Sequence, residues 1–140
     1  MRTETGREEE NMGYLGEEIK KLGFGLMRLP MNGDRIDVEQ TKKMVDLFMD
    51  AGFTYFDTAW AYAGSEDAIR QALVERYPRE SYQLATKNAA WINCKTREEA
   101  VAQMDVSLKQ TGAGYFDFFG DYMLSYRIFF WSSAKTSIHV

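Results

Sequence analysis

The chain has 140 residues, 45% of them hydrophobic and 14% aromatic, which supplies one core and not two. A net charge of -4 leaves no basic excess to offset phosphate repulsion, so nucleic acid is not an expected partner. Cys94 is the sole cysteine and His139 the sole histidine; an intramolecular disulfide and a His-rich metal site are excluded, no metal is expected, and a reducing cytoplasm is the expected compartment.

Residues 1–11 carry acidic clusters and no apolar h-region, which predicts a disordered leader rather than a signal peptide or membrane anchor; Met12 is a natural start. GYLGEEIKKLGFG, from Gly13 to Gly25, is expected to form a small hairpin closing the bottom of the fold. Candidate strands then begin at Leu22, Phe53, Tyr82 and Tyr115, in steps of about 30 residues, the size of one strand, helix and return strand. Short β-branched or aromatic stretches alternating with longer helical ones predict an α/β fold of parallel βα repeats, with about four strands and three helices.

The first helix is predicted to start after Asp37, with Gln40 completing a box-like cap, and to end at Gly52. Val38, Thr41, Met44, Val45, Phe48 and Met49 form its buried stripe. A second helix begins near Ser65, buries Ile69, Ala72, Leu73 and Tyr77, and stops before Pro78. Thr96 and Glu99 form a capping box for a third, whose stripe is Val101, Met104 and Leu108 and whose stop is Gly112. The apolar run from Tyr122 to Trp131 is far shorter than the ~20 residues needed to span a bilayer, so no membrane segment is expected. Neither GxGxxG nor GxxxxGKS/T occurs, which disfavours a Rossmann domain.

In parallel α/β folds reactive groups collect where strands end. Asp57 follows the strand FTYF, Tyr62 lies in the loop beyond it, and Lys87 closes YQLAT. One reading makes Asp57 and Lys87 a structural ion pair and Tyr62 a half-buried aromatic. The other is chemical. A phenol ordinarily titrates near ~10, and a neighbouring ammonium favours its ionised form and lowers that value. Tyr62 then becomes an acid able to protonate a carbonyl oxygen while hydride arrives at carbon, with the carboxylate orienting the lysine. A Schiff-base aldolase using Lys87 is a rival, opposed by Asp57, because imine formation needs the neutral amine. Cys94 reads as an inert thiol.

The strings LGFGLMRLP (Leu22 to Pro30), FDTAWAYAGSE (Phe56 to Glu66), LATK (Leu84 to Lys87) and SLKQTGAGYFDFF (Ser107 to Phe119) resemble, in this order, the aldo-keto reductases. The resemblance covers roughly residues 13–119. It is closest to bacterial members whose chains carry a C-terminal iron-sulfur segment, of which nothing occurs in these residues. It implies a (β/α)8 barrel, an NADPH cofactor and a small-molecule aldehyde or ketone substrate. It further implies catalytic roles for Asp57, Tyr62 and Lys87, and cofactor contacts by Gly25, Met27 and Asp57. Trp60 and Trp91 are candidates for lining the substrate pocket. The family's fourth catalytic residue, a histidine, would fall at Tyr122, and there the resemblance stops.

A complete barrel of this kind needs about 250 residues. The expectation is therefore a truncated (β/α)8 barrel: residues 12–119 as its N-terminal half and residues 120–140 as an aberrant tail left by a frameshift or premature stop. Such a chain is expected to be inactive. A non-enzymatic fragment that self-associates through open sheet edges, or pairs with a complementary half-barrel, is the alternative from another class.

Overall fold

The carboxylate of Asp37 accepts the Gln40 backbone N–H at 2.9 Å and so caps helix α1, Val38–Asp50, at the predicted place. Residues 16–121 and 128–129 are described in this computed structural model. In chain order they form β1 (Gly23–Gly25), the short β2 (Met31–Asn32) and β3 (Arg35–Ile36), α1, β4 (Tyr55–Asp57) and α2 (Ser65–Ile69). Then follow a π-helical turn at Arg70–Val74, β5 (Gln83–Asn88), a single turn α3 (Ala90–Asn93), α4 (Arg97–Thr111), β6 (Phe118–Asp121) and β7 (Ile128–Phe129).

The main sheet has the order β1-β4-β5-β6-β7. The first four of these strands run parallel, as the alternating pattern predicts, while β7 returns antiparallel to β6. Four neighbouring parallel strands with their helical crossovers make an arc of the expected barrel, whose concave side no helix covers among the described residues.

Alternation along each strand divides the sheet into two faces. On the convex face Phe56 and Leu84 are fully buried with Val45, Ile69 and Leu73 from the helices. Phe24, Phe48 and Phe56 meet there with ring centroids 5.2–5.6 Å apart. Within α1 the predicted stripe holds: Thr41 and Val45 are buried, Met44, Phe48 and Met49 half-buried. Ile69, Ala72 and Leu73 are likewise fully buried on the second helical segment. Gly52 (φ +84) and Gly112 (φ +62) end α1 and α4 in the left-handed conformation that favours glycine.

Some expectations need correction. Of the hairpin expected over residues 13–25, residues 13–15 lie outside the described ones, and the described part before β1 makes a tight turn in which the Ile19 N–H donates to the Gly16 carbonyl. A hairpin that was not expected is β2–β3, which pairs Met31 with Ile36 around Gly33 at φ +67. In α4, Val101 is 46% exposed rather than buried, because the inward face is polar: Gln103, Ser107 and Thr111 are buried beside Met104. Hydrogen bonding satisfies that face, since Gln103 Oε1 accepts the Ala89 N–H at 2.7 Å and the Thr111 hydroxyl donates to the Ser107 carbonyl at 2.8 Å. Thr96 caps α4 as expected, and only the reciprocal arm of the capping box differs, by one residue. Thr96 Oγ1 accepts the Glu99 N–H as predicted, but the Glu99 carboxylate reaches back to the Lys95 N–H.

Arg79 anchors the lower ends of two strands. Its guanidinium donates to the carbonyls of Tyr82, Ala113 and Tyr115 and to the Asp117 carboxylate, and stacks 3.7 Å from the Tyr115 ring centroid. Asp117 in turn accepts the Leu84 N–H at 2.8 Å.

Candidate active site

Strand register decides which side chains share the concave face. Gly25 pairs with Asp57 and Asp57 with Ala85, while Lys87 lies two residues farther along β5, opposite Gly120. Asp57 and Lys87 therefore project from the same face near the C-terminal rim of neighbouring strands. Lys87 Nζ donates to both oxygens of the Asp57 carboxylate, at 2.6 and 2.5 Å, and to the Thr58 carbonyl at 3.1 Å. It also lies 5.6 Å from the centroid of the Tyr62 ring. The three residues singled out from the sequence are thus brought together.

The pair remains partly open to solvent, 27% for Lys87 and 32% for Asp57, and an exposed ion pair contributes only ~0–1 kcal/mol to stability. Stability alone is a weak reason for this arrangement. Both lone-pair acceptors of Asp57 on one ammonium also oppose imine chemistry at Lys87, which needs the neutral amine.

Tyr55 lies two residues before Asp57 on the same face of β4. Burial, followed by the carboxylates of Asp57 and Asp117, pushes the Tyr55 hydroxyl up to about 12, which makes it a poor proton donor near neutrality. Tyr62 has instead a cation beside its ring.

The remaining candidates occupy the same rim. Gly25 is exposed, and a side chain added there would meet nothing within 4 Å, so its backbone can be approached closely. Met27 is 56% exposed. Trp60 is half-buried and its backbone N–H donates to the Lys87 carbonyl at 3.1 Å, tying the loop after β4 to the end of β5. Trp91 lies on α3, next to the end of β5. Tyr122, the position the resemblance assigns to a histidine, and His139 lie outside the described residues. A cavity of about 480 Å³ opens on the concave face, with Asp57 and Lys87 toward one end and Gly16, Ile19, Lys20 and Lys21 toward the other. Among the described residues no acidic, cysteine or histidine cluster could hold a metal, and no helix is long and apolar enough to cross a membrane.

Sequence reading missed the groups behind this rim. Ser65 and Glu66, the first residues of α2, are buried against Thr58 and Thr86, which point to the convex face next to Asp57 and Lys87. The signal was present as a threonine adjacent to each charged strand-end residue, on the opposite phase of the alternation.

An arc of parallel βα units, with Asp57 and Lys87 paired at its rim, is one part of a barrel architecture, and comparison with known proteins gives the family. The model of the aldo/keto reductase family matches residues 21–120, and the chain belongs to that family. It is 28% identical over 104 residues to an aldo-keto reductase of Mycolicibacterium smegmatis, covering 74% of this chain and 34% of that protein. An aldo-keto reductase of Klebsiella pneumoniae solved in complex with NADPH is 26% identical, with a TM-score of 0.56 over 72% of this chain and 34% of that one. A thermostable aldo-keto reductase solved with the inhibitor epalrestat shares the fold at a TM-score of 0.63 and 22% identity, over 76% of this chain and 40% of its own. The chain thus spans about a third of the length of the curated relative it matches.

Proposed function

We propose that this chain carries the proton-donating part of an NADPH-dependent carbonyl reductase site, and that its 140 residues alone do not complete the reaction. The observation that carries the reading is the Lys87 ammonium, chelated by Asp57 and facing the Tyr62 ring. Tyr62 acts as general acid toward the carbonyl oxygen of an aldehyde or ketone. Lys87 stabilises the phenolate that remains, and Asp57 orients Lys87. Bound NADPH supplies the hydride. The residues fit its reactive end: Gly25 leaves open space at the level of Asp57, and Met27 borders it. Trp60 and Trp91 border the substrate, and the cytoplasm is the compartment.

Inactivity of the isolated chain follows from its open concave face. Barrels of this type commonly hold phosphate in the loops after their seventh and eighth strands, and the parallel arc described has four strands. Among the described residues β1 and β7 are the outermost strands of the main sheet, and strand edges left unpaired would favour self-association by recruiting other strands.

Two measurements test this. Fluorescence titration with NADPH and an aldehyde-reduction assay on the 140-residue chain are expected to show weak or no binding and no turnover; micromolar affinity with turnover from a monomer would overturn the second half of the reading. In the chain continued by the remaining strands of a family relative, Tyr62→Phe should lower carbonyl reduction by ~10²–10⁴-fold, the usual worth of a general acid, while NADPH binding persists. Near-parental turnover would show that another group donates the proton.

A further inference from the structure

We propose that Ser65 and Glu66 are positioning residues: the start of α2 grips, from the convex side, the strands that carry Asp57 and Lys87 and the loop that carries Tyr62. This rests on the functional reading above for the importance of those three groups. The contacts form one connected set. Ser65 Oγ donates to the Leu26 carbonyl at 2.9 Å, so its single proton is committed and the 2.7 Å contact with Thr58 Oγ1 has Thr58 as donor. The Ser65 N–H donates to the Tyr62 carbonyl at 3.0 Å. One buried serine thereby joins the end of β1, the residue after Asp57 and the backbone of Tyr62. Glu66 makes the matching contact on the next strand, its Oε1 accepting from Thr86 Oγ1 at 2.8 Å. Thr86 directly precedes Lys87.

The arrangement has a geometric logic. In a strand successive side chains alternate between faces, so Thr58 and Thr86 point outward where Asp57 and Lys87 point inward. Two hydroxyls bound to adjacent residues of one helix set the relative advance of β4 and β5, and hence the distance across the Asp57–Lys87 pair. All four polar side chains are at least 97% buried, where hydrogen bonds are directional and their loss is felt. The same helix begins three residues after Tyr62, so the loop has little freedom to move the phenol independently of the strands.

The test reads the Lys87 amine directly in the 140-residue chain, at low concentration and without catalysis. Acetic anhydride labelling, followed by mass spectrometry, gives the rate at Lys87 relative to exposed Lys43; hydrogen exchange of α1 in the same samples reports whether the fold persists. Thr58→Val and Thr86→Val remove one hydroxyl each with little change of shape. Each is expected to accelerate Lys87 labelling about 5-fold, the factor corresponding to one net hydrogen bond, with α1 protection unchanged. Glu66→Gln keeps an acceptor for Thr86 and should leave Lys87 slow. Unchanged Lys87 labelling in both folded valine variants would overturn the proposal. So would loss of α1 protection in both, which would make the grip a requirement of the fold rather than of the site. Asp57→Asn separates the two levels: if it leaves Lys87 labelling unchanged, the ion pair itself, and with it the functional reading, fails whatever the valine variants do.

Discussion

The two faces of the sheet are built from the same strands to opposite ends. Phe56 and Leu84 on the convex face are fully buried among helix side chains, whereas Tyr55 and Asp57, on either side of Phe56, and Lys87, three residues beyond Leu84, stay partly open above a cavity. The convex face holds the fold together with apolar packing. The concave face concentrates charge where apolar cover is incomplete. Alternation with a period of two thus lets a three-residue strand such as β4 contribute to stability and chemistry at once, with little interference between them.

The division predicts a crossed pattern of effects. Phe56→Ala should cost ~3–5 kcal/mol, the usual loss for a buried phenylalanine, a large share of the ~5–15 kcal/mol margin of a small domain. A urea melt that moves by less than about 1 kcal/mol would show that the convex face is not the core. Lys87→Met, from the opposite face, should change the melt by no more than ~1 kcal/mol yet strongly depress carbonyl reduction in the completed barrel. A Lys87 variant that unfolds the chain would erase the distinction.

Glu66 sharpens the comparison, because it is a carboxyl group on the apolar side. Burial pushes it above the ordinary value of 4.5, against the opposing pull of hydrogen bonds from Thr86 and Ser107. A carboxyl group raised in the folded state contributes stability that is complete below its unfolded value and is lost as pH climbs through its folded value. Stability of the parent should therefore fall as pH rises from about 4.5 toward neutrality. Glu66→Gln should flatten that decline and be the more stable protein at pH 7. Parallel pH profiles for the two would mean that the buried carboxylate carries its charge without cost.

A smaller effect is expected at the surface. Asp37→Ala removes the cap of α1 and should cost ~1 kcal/mol, measured as a shift of the melt with both faces of the sheet otherwise intact. A loss several times larger would implicate Asp37 in more than the Gln40 N–H.

Much of this arrangement was readable before any coordinates. Strand positions, the Asp37 and Thr96 caps and the glycine stops are local features, and local signals survive folding. Asp57, Lys87 and Tyr62 were legible because strand ends are where such folds place reactive groups, and their grouping is what the register produces. The inward face of α4 was not legible: Gln103, Ser107 and Thr111 are buried through specific hydrogen bonds to partners distant in sequence, so an apolar stripe pointed to the exposed Val101. The β2–β3 hairpin turns on the two residues Gly33-Asp34, a signal easily lost between longer elements. Ser65 and Glu66 escaped because a serine and a glutamate at a helix start ordinarily read as solvent-facing capping residues.

Arg79 bears on how such a protein can change. Its guanidinium ties the beginnings of β5 and β6 together, while Lys87 stands five residues beyond Tyr82, roughly 17 Å along an extended strand. Anchorage and reactivity are insulated from each other by that length. Exposed positions in the loop beyond Asp57, such as Ala61 and Ala63, can therefore be exchanged or randomised in laboratory selection, with buried Thr58, Ala59, Ser65 and Glu66 kept, while the guanidinium cross-link keeps the strands in register below. Diversification aimed at the reactive end should yield far more folded clones than the same number of changes around Arg79.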